Sequence, residues 1–269
     1  MFQVEHFSND EGNHDWLIRQ FEIFHFEEYS LEEKFIPRPD ISLVFHFRDV
    51  PLIVDKVNIQ LEPYFIAPII PQSIVLKFHG EMDTFIVAFK PTVISRIFGL
   101  NLTPVAKRSI SLPHEIFGPL WESLSRMTTS EERIAHFTDF ILSHQKTTYC
   151  PDEIDELYDK IVERGTTTLL KDIMHDYSHC SRTLQRNFIK RTGVSPKTLM
   201  RIVRFDFLWS KIEKENAIDY QNLVFDGNYF DQSHLINDFK AILGETPNFF
   251  FHRNLQVVKM FSGKAEGKI

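Results

Sequence analysis

The sequence predicts an α+β protein of two domains, an N-terminal β-rich barrel or sandwich with flanking helices followed by an all-α domain. Three observations carry this. From Trp16 to Phe89, short runs of Ile, Val and Phe are broken by Pro and charge, and several alternate in period two. Beyond Lys90-Pro91, apolar residues recur instead at helical spacing. Third, Leu184, Phe188, Gly193 and Pro196 are answered by Leu235, Phe239, Gly244 and Pro247, each 51 positions later. Four matches at one offset, including Gly and Pro, mark a duplicated helical unit.

The strands come first. LIRQFEIFHF, ISLVFHF, PLIVDKVNI, YFIAPII, SIVLKFHG and TFIVAF each read as a strand, and their spacing suggests an antiparallel barrel or sandwich. Prolines 37, 39, 51, 63, 68 and 71 fall at the ends of these runs, where a missing N–H does least damage. Glu27-Glu28 and Glu32-Glu33 read as a solvated loop rather than a catalytic carboxylate pair. His25, His46 and His79 could converge on a metal in a barrel mouth. No HxH or HxxxE pair supports this, so no metal is expected and they read as polar strand or core residues.

The helices follow. Thr92–Gly99 reads as a short helix ending at its glycine. Glu115–Arg126 and Glu131–Ser143 have helical apolar spacing, with Ser130 as the expected N-cap of the second. The polar segment Gln145–Cys150 is the expected boundary, giving domains 1–146 and 151–254 and a tail at 255–269, whose last part, SGKAEGKI, is polar and expected to be disordered.

In the second half, Ile154–Arg164 is amphipathic, with Pro151 fitting N1 and Gly165 its stop. Leu169, Leu170, Ile173, Met174 and Tyr177 make the inward stripe of the next helix, which breaks at Ser178-His179-Cys180. Ser181–Thr192 then turns Leu184 and Phe188 inward and Arg182, Gln185 and Arg186 outward, ends at Gly193, and is followed from Pro196 by a long helix. The second copy has a helix over 218–226, a turn at Gly227–Phe230, Asp231 as N-cap, and Gln232, Ser233, His234 and Asn237 on its outer face. This is two helix-turn-helix units joined by a long helix.

That chemistry suits double-stranded DNA. Arg donates twice to guanine and Gln pairs with adenine, while Lys190, Arg191, Lys197 and Arg201 would meet phosphates. Two reading helices joined this way are expected about one DNA turn apart. The net charge of −7 hides an asymmetry: residues 1–159 are net −12, residues 180–211 net +7, and residues 212–246 net −5. The second unit should therefore contribute less to affinity. No run of 18 apolar residues and no basic-then-apolar leader occurs, so neither a membrane span nor a secretory signal is expected. Two cysteines, Cys150 and Cys180, without a CxxC partner point to a reducing cytoplasm. An enzyme would need an activated cysteine in a defined site, which a linker Cys150 and a turn Cys180 do not supply.

The segments RTLQRNF, TGVSP, YFDQSHLINDFK and GETP resemble the paired helix-turn-helix domain of AraC/XylS-type bacterial transcription regulators over about residues 151–254. FHGEMDTFIVAFKPTVISRIFGL and SLPHEIFGPLWESL are similar, more weakly, to a sensor domain attached to this domain in bacterial regulators. The resemblance implies a cytoplasmic, non-enzymatic protein without a cofactor that binds promoter DNA and contacts RNA polymerase. Its N-terminal domain would bind a small-molecule effector, form a homodimer, or both. The family's base-reading positions fall on Arg182, Gln185 and Arg186, then on Gln232, Ser233, His234 and Asn237. Met174 and Val224 stand where the family has a small Ala, and Ser178 and Asn228 where it has Gly, so an altered first turn is expected. The acidic second unit keeps a second class open, a regulator that acts through a partner protein.

Overall fold

The computed structural model describes residues 2–8, 16–27, 30–103, 108–144, 149–175, 177, 181–212, 220–252, 255–262 and 267–268. Nine strands come first: β1 (Phe2–Ser8), β2 (Ile18–Phe26), β3 (Leu31–Phe35), β4 (Ile41–His46), β5 (Leu52–Val54), β6 (Ile59–Gln60), β7 (Tyr64–Ala67), β8 (Ile74–Phe78) and β9 (Met82–Phe89). Then come α1 (Pro91–Ile97), β10 (Ile110–Ser111), α2 (His114–Ser125), α3 (Ser130–His144), α4 (Glu153–Arg164), α5 (Leu170–His175) and α6 (Ser181–Thr192). The chain continues through α7 (Pro196–Ile212), α8 (Tyr220–Asp226), α9 (Gln232–Leu243), α10 (Pro247–Phe251), α11 (Gln256–Phe261) and β11 (Gly267–Lys268).

The strands form two sheets, ordered β10-β7-β4-β9-β2-β1-β11 and β3-β8-β5-β6. Every strand pairing among the described residues is antiparallel. Period-two alternation splits the larger sheet between two cores. On β4, Ile41, Leu43 and Phe45 join the core under the helices, where the Phe45 and Phe137 rings meet edge-on at 5.8 Å. Ser42, Val44 and His46 face the smaller sheet.

Four expectations change. Glu32 and Glu33 lie in β3, not in a loop, and Glu28 lies outside the described residues. β3 is an edge strand, where charge is tolerated and discourages further pairing; its Leu31 and Phe35 supply the apolar side. Thr129, not Ser130, caps α3: its hydroxyl accepts from Glu132 N–H at 3.2 Å while the Glu132 carboxylate accepts from Thr129 N–H at 3.4 Å. Asp152, not Pro151, organises the start of α4 through a reciprocal capping box with Asp155.

The fourth change concerns the tail, in which the segment expected to be disordered, SGKAEGKI, supplies a strand and the residues before it supply a helix. Val258, Met260 and Phe261 of α11 are buried, and Gly267-Lys268 pair with β1. The apolar residues of QVVKMF outweigh the polar SGKAEGKI that follows, of which residues 263–266 and 269 lie outside the described residues. The Trp209 indole N–H donates to Ser262 Oγ at 2.9 Å, tying this segment to α7.

Most of the expected boundary (residues 145–148) and the break at 178–180 also lie outside the described residues. Across the boundary the core is continuous. One buried cluster runs from Phe21, Phe45 and Phe85 of the larger sheet through Phe137 to Leu157, Phe188 and Leu199 of the helical region.

Candidate nucleic-acid interface and interior cavity

In the first unit, Leu184 and Phe188 are buried, while Arg182, Gln185, Arg186 and Lys190 stand exposed along α6. Gly193 ends the helix at φ +84°, and a Cβ there would come within 2.9 Å of the Leu102 carbonyl oxygen. Both the left-handed backbone and the close approach require glycine. Ser195 then caps α7, its hydroxyl accepting from Thr198 N–H at 3.1 Å.

The cations of this block divide. Arg182, Arg186, Lys190 and Lys197 are exposed. The Arg191 guanidinium bonds Asp152 at 2.6 Å, Asp155 at 3.0 Å and the Thr92 carbonyl oxygen at 2.7 Å. Arg201 is half-buried and donates from Nε to Asp238 at 2.9 Å. Both cations expected on phosphates are thus ion-paired within the protein, Arg191 at the junction with α4 and Arg201 through its Nε at the junction with α9. Arg204 is likewise buried on the Gly165 carbonyl oxygen, and Lys211 pairs with Asp226 at 2.6 Å.

Asp155 is the centre of the Arg191 junction, with Arg96 as a second partner at 3.2 Å. Burial works against its charged form, but hydrogen bonds from Tyr149 and the Asp152 backbone, with the Arg191 charge, outweigh it. Together they hold the carboxyl well below the usual carboxylate range.

The second unit has the expected punctuation. Asp231 caps α9, accepting from His234 N–H at 2.7 Å, Gly244 ends it at φ +76°, and Asn228 takes φ +53° in the turn. Gln232, Ser233, His234 and Asn237 are all exposed, with the His234 ring edge-on to Tyr229 at 5.1 Å. Met174 and Val224 are half-buried at the positions where a smaller residue was anticipated. The acidity of this unit is partly spent inside the protein: Asp226, Asp238 and Glu245 pair with Lys211, Arg201 and Lys34.

Both α6 and α9 are docked on the preceding part of the chain by their C-terminal ends. Leu102 N–H donates to the Lys190 carbonyl oxygen of α6 at 2.8 Å. At α9, Ser73 N–H donates to the Ile242 carbonyl oxygen at 2.7 Å, and Ser73 Oγ and Lys34 Nζ donate to Leu243 at 3.1 and 2.7 Å. These are carbonyls that a helix end leaves without partners, and a lysine there also suits the helix dipole. The sequence offered no local signal for these bonds, because the partners lie 88 to more than 200 positions away.

The second feature is a cavity of about 80 Å³ between the two sheets. Its wall is almost wholly apolar, with Val44, Phe65, Ile74 and Leu76 from the strands and Phe261 from α11. The polar lining residues are Ser42, His46, Thr84 and Arg108, of which His46 has a buried nitrogen without a partner. His46 is 4% exposed, with Nδ1 2.8 Å from Thr84 Oγ1 and Nε2 without a hydrogen-bond partner among the described residues. Desolvation pushes the imidazole down to about 3, so it is neutral. His25 is exposed on the opposite face of the larger sheet, and no group of three His, Cys, Asp or Glu able to hold a metal occurs among the described residues.

No family model matches the chain, and no curated protein matches it. Among solved structures it is similar to ToxT from Vibrio cholerae (1.65 Å, P21 form), with TM-score 0.46 and 13% identity over 94% of this chain and 97% of that one. Unsaturated fatty acid bound wild-type ToxT from Vibrio cholerae strain SCE256 gives TM-score 0.45 and 15% identity over 99% and 97%. The ribosomal oxygenase YcfD from Escherichia coli, with cobalt and 2-oxoglutarate, gives TM-score 0.22 and 15% identity over 57% and 52%. At these scores the likenesses carry no functional argument, which rests on the chain's own residues. No helix among the described residues is long and apolar enough to cross a membrane.

Proposed function

We propose that the chain is a sequence-specific, non-enzymatic DNA-binding transcription regulator of the AraC/XylS type, with an effector-binding N-terminal domain. One observation carries this: α6 and α9 are held by their C-terminal ends, with Arg182, Gln185 and Arg186 on one and Gln232, Ser233, His234 and Asn237 on the other exposed. Those side chains have the donor and acceptor sets that discriminate base pairs in the major groove. Lys190 and Lys197 would neutralise phosphates. The α7 helix between the units has 17 residues, about 25 Å of spacer. The target is promoter DNA in a bacterial cytoplasm, with RNA polymerase as the contacted machine and a homodimer as the assembled form.

The test is selection of binding sites from a random duplex pool by the full chain, followed by fluorescence anisotropy on selected and scrambled DNA. Arg186→Ala should cost about 1–3 kcal/mol on the selected site and relax one base position. Equal binding to selected and scrambled DNA, unchanged by Arg186→Ala, would sink the reading.

A second reading, a regulator acting through a partner protein, has its own support. Phe225, Phe230 and Phe249 of the second unit are 85%, 91% and 67% exposed. Large exposed aromatics are a mark of protein interfaces. Under this reading Phe230→Ser abolishes promoter response in cells while leaving anisotropy unchanged.

A further inference from the structure

We propose that the cavity between the two sheets takes an uncharged, mainly apolar small molecule bearing one hydrogen-bonding group, read by His46 Nε2, and that Phe261 of α11 is its lid. The proposal rests on the reading of the N-terminal domain as effector-binding and supplies the ligand's class and the way its arrival is felt.

The ligand's class follows from the wall. His46 is a nearly fully buried lining residue of the cavity, its Nδ1 is engaged by Thr84, and its buried Nε2 has no hydrogen-bond partner among the described residues. A buried polar atom left without a bond is costly, so a ligand that supplies one gains specificity from it. Apart from Ser42, Thr84 and Arg108 the wall is apolar and offers no compensation for a buried charge. Arg108, at the edge of the cavity, is already paired with Asp55 at 3.0 Å.

The lid follows from size. A cavity of about 80 Å³ is roughly half the ~150 Å³ that admits benzene in a protein interior. A molecule with a ring and a polar handle enters only if a wall side chain leaves. Phe261 is that wall. Its ring stacks on Phe78 of the smaller sheet at 4.9 Å and meets Phe24 of the larger sheet at 5.5 Å, wedged between the two. It sits on a helix of only six residues.

The same helix reaches the second unit. Val258 is packed in the core that holds Trp209, Leu235 and Phe239. Trp209 of α7 is bonded to Ser262, one residue beyond Phe261. A ligand that expels Phe261 therefore loosens the contacts of α7 and α9, and occupancy is transmitted by exchange of one apolar filler for another.

The experiment uses the full chain and three probes: 4-propylphenol, butylbenzene of similar shape without the hydroxyl, and anionic 4-phenylbutanoate. Calorimetry should show 4-propylphenol binding at least tenfold tighter than butylbenzene, with no binding of the anion. Phe261→Ala should tighten both neutral probes at least tenfold, and His46→Phe should erase the phenol's advantage. Saturating phenol should speed amide exchange across residues 256–261. Equal binding of the two neutral probes, binding that ignores Phe261→Ala, or unchanged exchange in α11 would each overturn the proposal. Where His46→Phe fails to fold, the phenol-to-butylbenzene ratio in the unaltered chain decides alone. Anisotropy on DNA runs in parallel: DNA binding without probe binding rejects this proposal and spares the regulator, and probe binding without DNA binding does the reverse.

Discussion

Lys197 and Arg191 carry the same charge six positions apart across one turn, yet they do different work. Lys197 is exposed; removing it should weaken all DNA sequences alike and flatten the salt dependence by about 0.9, read as the slope of log K against log salt. Arg191→Ala should leave that slope unchanged and cost about 3 kcal/mol in urea unfolding, because it strips a partner from the buried Asp155. His46 gives a pH prediction. Its folded value is depressed to about 3, below the ~6.5 of the unfolded chain, so the unfolded state binds the proton first. Stability should fall as pH drops below about 6.5, by up to about 1.4 kcal/mol per pH unit, and His46→Phe should remove that slope between pH 6.5 and 5. At this scale the sequence is a good guide to outward faces, since helical spacing alone exposes Arg182, Gln185 and Arg186. It is a poor guide to which cation is spent on an ion pair. That depends on Asp152 and Asp238, brought to Arg191 and Arg201 by the packing of separate helices.

Helix starts decide much of the local geometry, and they rank by what else the cap does. Asp231 at the start of α9 is a simple cap, so Asp231→Ala should cost about 1 kcal/mol in a urea midpoint. Asp152 caps α4 reciprocally with Asp155 and also holds Arg191, so Asp152→Ala should cost about 2 kcal/mol or more. Equal costs would mean that the Arg191 pair adds nothing. The repeat itself was legible because Gly and Pro punctuate helices by steric rule: Gly193 and Gly244 both take positive φ. Strands β2, β4 and β7 to β9 were legible from alternation and Pro boundaries, whereas PLIVDKVNI, expected as one strand, folds as the antiparallel β5–β6 pair. Strand β3 was not legible, because Leu-Glu-Glu-Lys-Phe carries a charged centre that only an edge position permits, and edge status is a tertiary fact. β1 is equally illegible, because Glu5 and His6 interrupt its apolar residues.

At the scale of the molecule, charge and packing give different boundaries. The charge count separates an acidic first part from a basic block, and four exposed cations survive in that block. Binding to non-selected duplex should then show a salt slope of about −3.6, against about −6 or steeper if Arg191, Arg201 and their neighbours also reached phosphates. Packing joins the parts, since one apolar core crosses from the larger sheet into α4, α6 and α7. Sequence periodicity reports which side of an element is buried but not what buries it, which is why the interior cavity and the returning α11 were not foreseen. The pairing of Gln3 with Lys268 has a consequence for how the molecule is made. A ribosome releases residue 3 long before residue 268, so β1 waits with one edge open while every other strand and helix is synthesised. Closing so long a loop for a two-residue ladder is entropically unfavourable, so this ladder should be last to form and first to open. In that interval the unfinished edge is the place where a chaperone, or another nascent chain, would find the protein.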